Sequence, residues 1–162
     1  MCIRDSRYTF AELCKEAEET DYITSRIDVN NKCFLAPENM TEAIKSYCNN
    51  NDLIIPDTAG EIAAVVYKSL ADSYADTVMQ IEKNLDITYD AIYVIGGGAN
   101  AGYLNQLTAD STGKTVVAGP AEATAIGNIM AQMIADSVFK NLKEARACVR
   151  DSFDIKRFEQ KR

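Results

Sequence analysis

Three consecutive glycines, Gly96 to Gly98, follow a short apolar run with β-branched residues that begins at Ala91. Glycine adopts positive φ at little steric cost and has no Cβ, so its main chain can lie directly against another molecule. Nucleotides are often bound in this way, by backbone N–H groups and by the positive end of a following helix. The stretch therefore predicts a nucleotide-binding turn, and the alternative is a plain tight turn.

One nucleotide-binding pattern, the mononucleotide phosphate loop, does not fit this sequence. It requires G-x-x-x-x-G-K-[ST] between a strand and a helix. Gly113, Lys114 and Thr115 supply the end of that pattern, but Thr108 stands where the first glycine belongs. These residues also lie between a predicted helix and a predicted strand, which is the reverse of the required order. We therefore exclude a phosphate loop here.

A second pattern, the dinucleotide fingerprint G-x-G-x-x-G/A, fits in part. Gly96, Gly98 and Ala101 occupy its three positions, after a predicted strand and before a predicted helix. The fingerprint also requires an acidic residue at the end of the next strand, where it holds the ribose. Glu122 lies past the following turn, inside the next predicted helix. A dinucleotide-binding module therefore stays open as an alternative.

The residue types present exclude several other kinds of chemistry. The 162 residues include no histidine, which excludes Ser-His-Asp and Cys-His catalysis and removes the commonest metal ligand. The five cysteines form no C-x-x-C pair, so neither a disulfide framework nor a zinc site is expected. A net charge of −7 argues against a broad surface for nucleic acids or anionic membranes.

No catalytic residue and no metal ligand can be assigned from the sequence. Four aspartates are predicted to be caps, turn residues or solvated groups rather than a catalytic base: Asp28, Asp57, Asp90 and Asp110. No apolar run approaches the roughly 20 residues that cross a bilayer. The first six residues lack the apolar core of a secretion signal. A cytoplasmic location is therefore expected.

Two capping boxes predict helices in the first half of the chain. Thr9 and Glu12 open a helix through about Glu19, and Thr58 and Glu61 open the longest helix, which runs to about Leu85. Apolar residues recur at three and four positions along the longest helix, so one face is expected to pack on a sheet. Between these helices, residues 25–40 predict a short strand and an irregular loop, and Thr41 is expected to cap a helix to about Cys48.

The second half of the chain alternates predicted strands and helices. The pattern predicts a strand at 91–95, a helix at about 101–110, a strand at 115–118, a helix from Pro120 to about Ser137 and a last helix at about 142–152. This order indicates a helix-rich α/β fold. Two strands are fewer than a sheet usually has. Either further strands lie in the first sixty residues, or part of the domain is missing.

Four ordered stretches of the sequence resemble one known family. They are "VIGGGANAGYLNQLTAD", "KTVVAGPAEATAIGNIMAQMIA", "FLAPENM" and the tail "ARACVRDSFDIKRFEQ". Together they resemble the closing part of the FGGY family of carbohydrate kinases, within the actin and hexokinase superfamily. The resemblance runs from about Tyr8 to about Gln160. It implies a partial actin/hexokinase-like (ribonuclease H-like) nucleotide-binding domain whose early strands are missing.

The resemblance also implies a site and an activity. It marks Gly97 as a contact of ATP, and Gly96 and Gly98 adjoin it by geometry. Asn100 is expected either to contact the nucleotide or to cap the following helix. The implied cofactors are ATP and Mg²⁺, and the implied reaction is phosphorylation of a ketose. Another sugar or polyol kinase of the same family is the first alternative.

The remaining expectations concern the limits of the domain. Residues 1–6 match nothing in the family and are predicted to be a non-native leader. Residues 7–162 are predicted to be the carboxy-terminal part of the family's ATP-binding domain. The catalytic aspartate is expected before the matched part, so these 162 residues are expected to be inactive alone. A face of small residues is predicted to be either a hinge contact or ordinary core packing: Ala123, Gly127, Ala131 and Ala135.

Overall fold

The computed structural model describes residues 8–20 and 22–161, in two compact units, one up to Ile81 and the other from Glu82. The predicted leader and Arg162 lie outside the described residues. No helix in the described ranges is long and apolar enough to cross a membrane. The elements in chain order are α1 (Phe10–Glu18), α2 (Met40–Asn50), α3 (Ala59–Leu85), β1 (Ala91–Val94), α4 (Gly102–Thr112), β2 (Thr115–Ala118), α5 (Ala123–Ala135), α6 (Leu142–Ser152) and β3 (Lys156–Phe158).

Both predicted capping boxes are present and begin helices in the first unit. At α1, the Thr9 N–H donates to Glu12 Oε2 at 2.7 Å, and the Glu12 N–H donates to Thr9 Oγ1 at 3.3 Å. At α3, Thr58 and Glu61 exchange the same two bonds at 3.0 and 3.2 Å. The hydrogen bonds from Thr9 lower the pKa of the Glu12 carboxyl.

The cap of α2 is Asn39, so the prediction of Thr41 as the cap is wrong. Asn39 Oδ1 accepts from the N–H groups of Thr41 and Glu42, at 3.0 and 3.3 Å. Asparagine caps helices at least as well as threonine. Because Asn39 takes the role first, Thr41 lies inside the first turn.

The strand predicted within residues 25–40 is also wrong. That segment contains a short 3₁₀ helix, Lys32–Phe34, and otherwise irregular chain. Its polar groups bond to side chains and loops instead of a neighbouring strand. The Ile27 N–H donates to Ser69 Oγ at 3.0 Å, and the Ser25 hydroxyl donates to the Ile54 carbonyl at 2.6 Å. None of the described residues of the first unit lies in a strand.

The core of the first unit lies between α3, α2 and the irregular segment. Its buried members are Ile23, Ile27, Ile44, Cys48 and Val65. The apolar face of α3 therefore packs on a helix and a loop, and the prediction that it packs on a sheet is wrong. The Lys68 ammonium of α3 donates to the Ile23 carbonyl at 3.0 Å, which further secures the loop.

The second unit contains a three-stranded sheet in the order β1-β2-β3. β1 and β2 are parallel, and β2 and β3 are antiparallel. Val116, Val117 and Ala118 of the central strand are buried. The predicted α/β class and both predicted strands are confirmed. β3 was not predicted, because Lys156 and Arg157 give no apolar strand signal. Their side chains are exposed, but their backbone pairs with β2.

The helix after β2 begins later than predicted. α5 begins at Ala123, so Pro120 precedes the helix and the prediction of Pro120 in its first turn is wrong. The carbonyl of Pro120 instead accepts a hydrogen bond from the Gly96 N–H at 3.3 Å. On the small-residue face of α5, Ala131 and Ala135 are exposed, and no heavy atom lies within 4 Å of a Cβ built on Gly127. Core packing of that face is not found in the described chain, and the hinge contact stays a prediction.

Candidate nucleotide-binding site

The three glycines lie where the carboxyl ends of the two parallel strands meet. Two backbone hydrogen bonds join these ends: the Gly119 N–H donates to the Val94 carbonyl at 2.8 Å, and the Gly96 N–H donates to the Pro120 carbonyl at 3.3 Å. In open α/β sheets, ligands bind outside the carboxyl ends of parallel strands. The glycines therefore occupy the edge of the sheet at which a ligand is expected.

Gly96 is required by the conformation of the chain. Its φ is +76°, which residues with a Cβ rarely adopt. The nearest atom to a Cβ built there is the Ala121 carbonyl oxygen, at 3.9 Å, so crowding is not the reason for glycine. Its N–H is bonded to Pro120. Gly96 therefore shapes the turn, and its N–H is already bonded within the chain rather than facing a ligand.

Gly97 is required neither by conformation nor by packing. Its φ is not positive, and no heavy atom lies within 4 Å of a Cβ built on it. Gly97 is also exposed. Nothing in the described chain explains why a side chain is absent here. The Gly97 backbone is therefore accessible to a bound ligand.

The glycines continue into a 3₁₀ turn, Gly96–Asn100, that was not predicted. Such turns use N–H groups in bonds to the carbonyl three residues earlier. The Ala101 N–H donates in this way to Gly98 at 3.0 Å. Ala99 and Ala101 are buried and anchor the turn, whereas Gly98 and Asn100 are exposed. A Cβ on Gly98 would make an ordinary contact with Val94, at 3.5 Å.

The helix after the turn begins at Gly102, slightly later than predicted, and Ala101 occupies its cap position without a side-chain hydrogen bond. Asn100 is therefore not the cap, and that alternative for it is wrong. No acidic side chain lies in the first turn of α4. Because the positive end of the helix dipole is not countered there, an electronegative ligand group is favoured.

Asn105, one turn into α4, is a residue of this site that the sequence interpretation missed. It is 3% exposed, and its amide Nδ2 donates to the carbonyls of Ala99 at 3.2 Å and Gly98 at 3.4 Å. Its position in the sequence could have revealed it, because of the helical spacing from its neighbours. It shares a helix face with Ala101, Thr108 and Ala109, all of which are buried, so a polar side chain there needs a partner.

The opposite end of the sheet is closed by an ion pair. Lys114 Nζ lies 2.7 Å from Glu82 Oε1 and donates to the Tyr89 carbonyl at 2.8 Å. The Tyr89 N–H donates to the same Glu82 oxygen at 2.7 Å. The bond from Lys114, and then that from Tyr89, lower the pKa of the Glu82 carboxyl. Lys114 is thus engaged away from the glycines, which agrees with the exclusion of a phosphate loop.

The acidic residue that a dinucleotide site requires is not at the end of β2. Residues 115–120 contain no Asp or Glu. Glu122 precedes α5 as its cap residue and is exposed, although it was expected inside the helix. The arrangement therefore gives the dinucleotide alternative no ribose partner at the expected place.

Two of the four aspartates, Asp28 and Asp57, have the roles that were predicted, whereas Asp110 is half-buried within α4 and binds the C-terminal segment instead. Asp28 Oδ1 accepts from the Asn30 N–H at 3.0 Å, in a turn. Asp57 pairs with Lys45 at 3.2 Å on the surface. Asp110 Oδ1 accepts from the Lys161 N–H at 2.7 Å. Asp90 is exposed, and its role stays a prediction. Within residues 8–20 and 22–161, no three Cys, Asp or Glu side chains come together as a metal site would require.

Comparisons with known proteins agree on one family. The profile described as "FGGY family of carbohydrate kinases, C-terminal domain" matches residues 4–135. The chain is 47% identical over 154 residues to a rhamnulokinase of Bacillus subtilis (strain 168), covering 95% of the chain and 32% of that protein. It is 44% identical over 151 residues to a rhamnulokinase of Oceanobacillus iheyensis, covering 93% and 32%. It is 44% identical over 154 residues to one of Halalkalibacterium halodurans, covering 95% and 33%. The chain thus spans about a third of the length of these relatives.

Proposed function

This chain belongs to the FGGY family of carbohydrate kinases, and we propose that it supplies the nucleoside-binding wall of an ATP-dependent sugar kinase. The predicted fold, a helix-rich and partial actin/hexokinase-like domain, is confirmed by the family match and the small mixed sheet. The chain spans only about a third of its relatives, so the activity of a whole protein is part of the proposal. Its cytoplasmic location stays a prediction.

One observation carries the proposal: Gly97 is exposed at the end of a parallel strand, and neither its φ nor its neighbours require glycine. A flat nucleoside can lie against such a backbone without meeting a Cβ. We propose that the adenosine part of ATP lies there. Gly96 would set the direction of the turn, and the exposed Gly98 and Asn100 would border the nucleotide.

The proposed substrate is L-rhamnulose, which would be converted to L-rhamnulose 1-phosphate in rhamnose breakdown. The support is the 44–47% identity to three proteins named rhamnulokinase. The alternative is another sugar or polyol kinase of the family, with a xylulokinase-like or fuculokinase-like substrate. It stays open because no residue of the described chain is assigned to the sugar.

This part of the protein would contribute to catalysis by positioning the nucleotide. Phosphoryl transfer depends on aligning the nucleotide with the accepting hydroxyl and on balancing charge in the transition state. The nucleotide turn, Gly96–Asn100, would fix the nucleoside end. Mg²⁺ is the expected companion of ATP, but no cluster of three Cys, Asp or Glu side chains occurs among the described residues, and no step is assigned to them through the ion. The chain alone is expected to be inactive and to bind adenosine nucleotides weakly at most.

A chimaera tests whether this chain can serve as the nucleoside-binding part of a rhamnulokinase. This chain would replace the matching 154-residue segment of the Bacillus subtilis rhamnulokinase. ATP-dependent phosphorylation would be measured with L-rhamnulose, xylulose and fuculose. We expect turnover of L-rhamnulose above the other two sugars. A folded chimaera that transfers phosphate to none of the sugars would overturn the kinase proposal. A shift from the parent enzyme's preference for L-rhamnulose toward xylulose or fuculose would count against the proposed substrate.

The same chimaera tests the role of Gly97. In Gly97→Val the added side chain meets open space, so the urea unfolding midpoint should not change. The KM for ATP should rise at least tenfold, and the KM for the sugar should stay the same. Unchanged ATP affinity would contradict the proposed site. Thermal unfolding of the chain with ATP and with NAD distinguishes the kinase proposal from a dinucleotide-binding module, because protection by NAD alone would favour the module.

A further inference from the structure

Asn105 differs from Thr108, the other buried polar residue of α4, in the direction of its hydrogen bonds. The Thr108 hydroxyl donates to the Leu104 carbonyl of its own helix at 2.8 Å. The Asn105 amide instead leaves the helix and reaches the carbonyls of Ala99 and Gly98. Its side chain therefore stabilises the preceding turn and makes no hydrogen bond to the helix that carries it.

The nucleotide turn is expected to be poorly ordered without a hydrogen bond from outside it. It contains three adjacent glycines, which have the largest conformational freedom of any residues in the unfolded or loosened chain. Its 3₁₀ hydrogen bonds are geometrically poorer than those of an α-helix. A ligand that binds only the ordered turn loses apparent affinity in proportion to the fraction of molecules in which the turn is ordered.

From these observations we infer that Asn105 is a positioning residue of the nucleotide turn: its amide holds the Gly98 and Ala99 carbonyls inward and so keeps the Gly97 backbone presented to ATP. The inference rests on the proposed function. Asn105 is buried beneath the turn, so it acts through the backbone of residues 98 and 99 and does not touch the nucleotide.

The test is the isosteric variant Asn105→Asp. It replaces the Nδ2 donor by an oxygen that faces two carbonyl oxygens, and an ionised carboxylate at this position can donate neither hydrogen bond. In the chimaera described above, the KM for ATP should rise about tenfold, the factor that one or two net hydrogen bonds contribute. kcat at saturating ATP and the KM for the sugar should not change. The control is Asn128→Asp, the same substitution at an exposed position of α5.

Hydrogen exchange of the nucleotide-free chain provides a second readout. Amides of residues 96–100 should exchange faster in Asn105→Asp, while those of β2 keep their protection. Protected β2 amides also establish that the variant is folded. If it is not folded, Asn105→Ala, which removes the donor without introducing a charge, is measured with the same expected result.

The outcomes separate the two proposals. A wild-type chimaera with no ATP-dependent activity overturns the proposed function, and this inference falls with it. If the wild-type chimaera is active and Asn105→Asp has the same KM for ATP, the inference is overturned and the proposed function stands. Equal increases in the KM values for ATP and sugar, or unchanged exchange in the turn, also overturn it, because they indicate a general structural role or none.

Discussion

Replacing Gly60 with alanine is expected to destabilise the first unit, because α1 packs directly on this position. Gly60 is buried at the second residue of α3. A Cβ built there lies 2.6 Å from Glu16 Cβ, 3.1 Å from its carbonyl carbon and 3.2 Å from its carbonyl oxygen. Carbon atoms in contact prefer about 3.5–4.0 Å. The backbone of α1 must therefore shift by roughly 1 Å to admit one methyl group.

Two opposing effects set the size of the change. Overpacking by an added carbon costs about 1–3 kcal/mol. Alanine favours a helix over glycine by up to about 1 kcal/mol in the helix interior, and by less in the first turn where Gly60 lies. The overpacking cost is larger. The free energy of unfolding of the first unit should therefore fall by about 1–2 kcal/mol.

The assay is urea unfolding followed by circular dichroism, combined with hydrogen exchange of α1 amides, which reports on the first unit alone. The matched control is Gly127→Ala in α5, where no heavy atom lies within 4 Å of the new Cβ. That change should raise stability by up to about 1 kcal/mol, since only helix propensity acts. A Gly60→Ala chain as stable as the wild type, with unchanged exchange in α1, would refute the reasoning.

Three further predictions concern the second unit. Lys114→Met removes the partner that lowers the pKa of Glu82. The wild type loses stability as pH falls below about 4.5 and Glu82 becomes protonated, and this loss should be smaller in the variant. Identical acid-unfolding curves would contradict this. Gly96→Ala should cost about 1–2 kcal/mol in urea unfolding, because φ is +76° there, and no loss would indicate that the turn has another conformation. Asp110→Ala removes the acceptor of the Lys161 N–H, so trypsin should cleave at the basic residues of β3 faster than in an Asp90→Ala control; equal rates would contradict that role.

Local signals in the sequence predicted most of the helices. The boxes at Thr9 and Thr58 fix helix starts because both partners lie within one turn. The choice between Asn39 and Thr41 was wrong because two good caps lie close together and the local pattern does not rank them. β2 and α6 were placed with their correct bounds, since a short apolar run and a short helix are each flanked by turn residues.

Features that depend on distant residues were not predicted. The irregular segment near Ile27 reads as a strand, but its hydrogen-bond partner is Ser69, 42 residues away. β3 is short and basic, which is typical of edge strands and gives little apolar signal. For the site, the glycines were visible in the sequence. The contact from Asn105 was not, because it depends on how the turn folds back over α4.

The position of β3 has a consequence for synthesis on the ribosome. Ala118 of β2 faces Lys156 of β3, so one edge of the central, buried strand stays open while the intervening helices are translated. Nascent chains that stop short of Lys156 would present an apolar, unpaired edge to any other extended polypeptide. Emergence of Lys156–Phe158 from the exit tunnel is therefore the event that pairs this edge of β2, and intermediates that stall before it should depend most on chaperones.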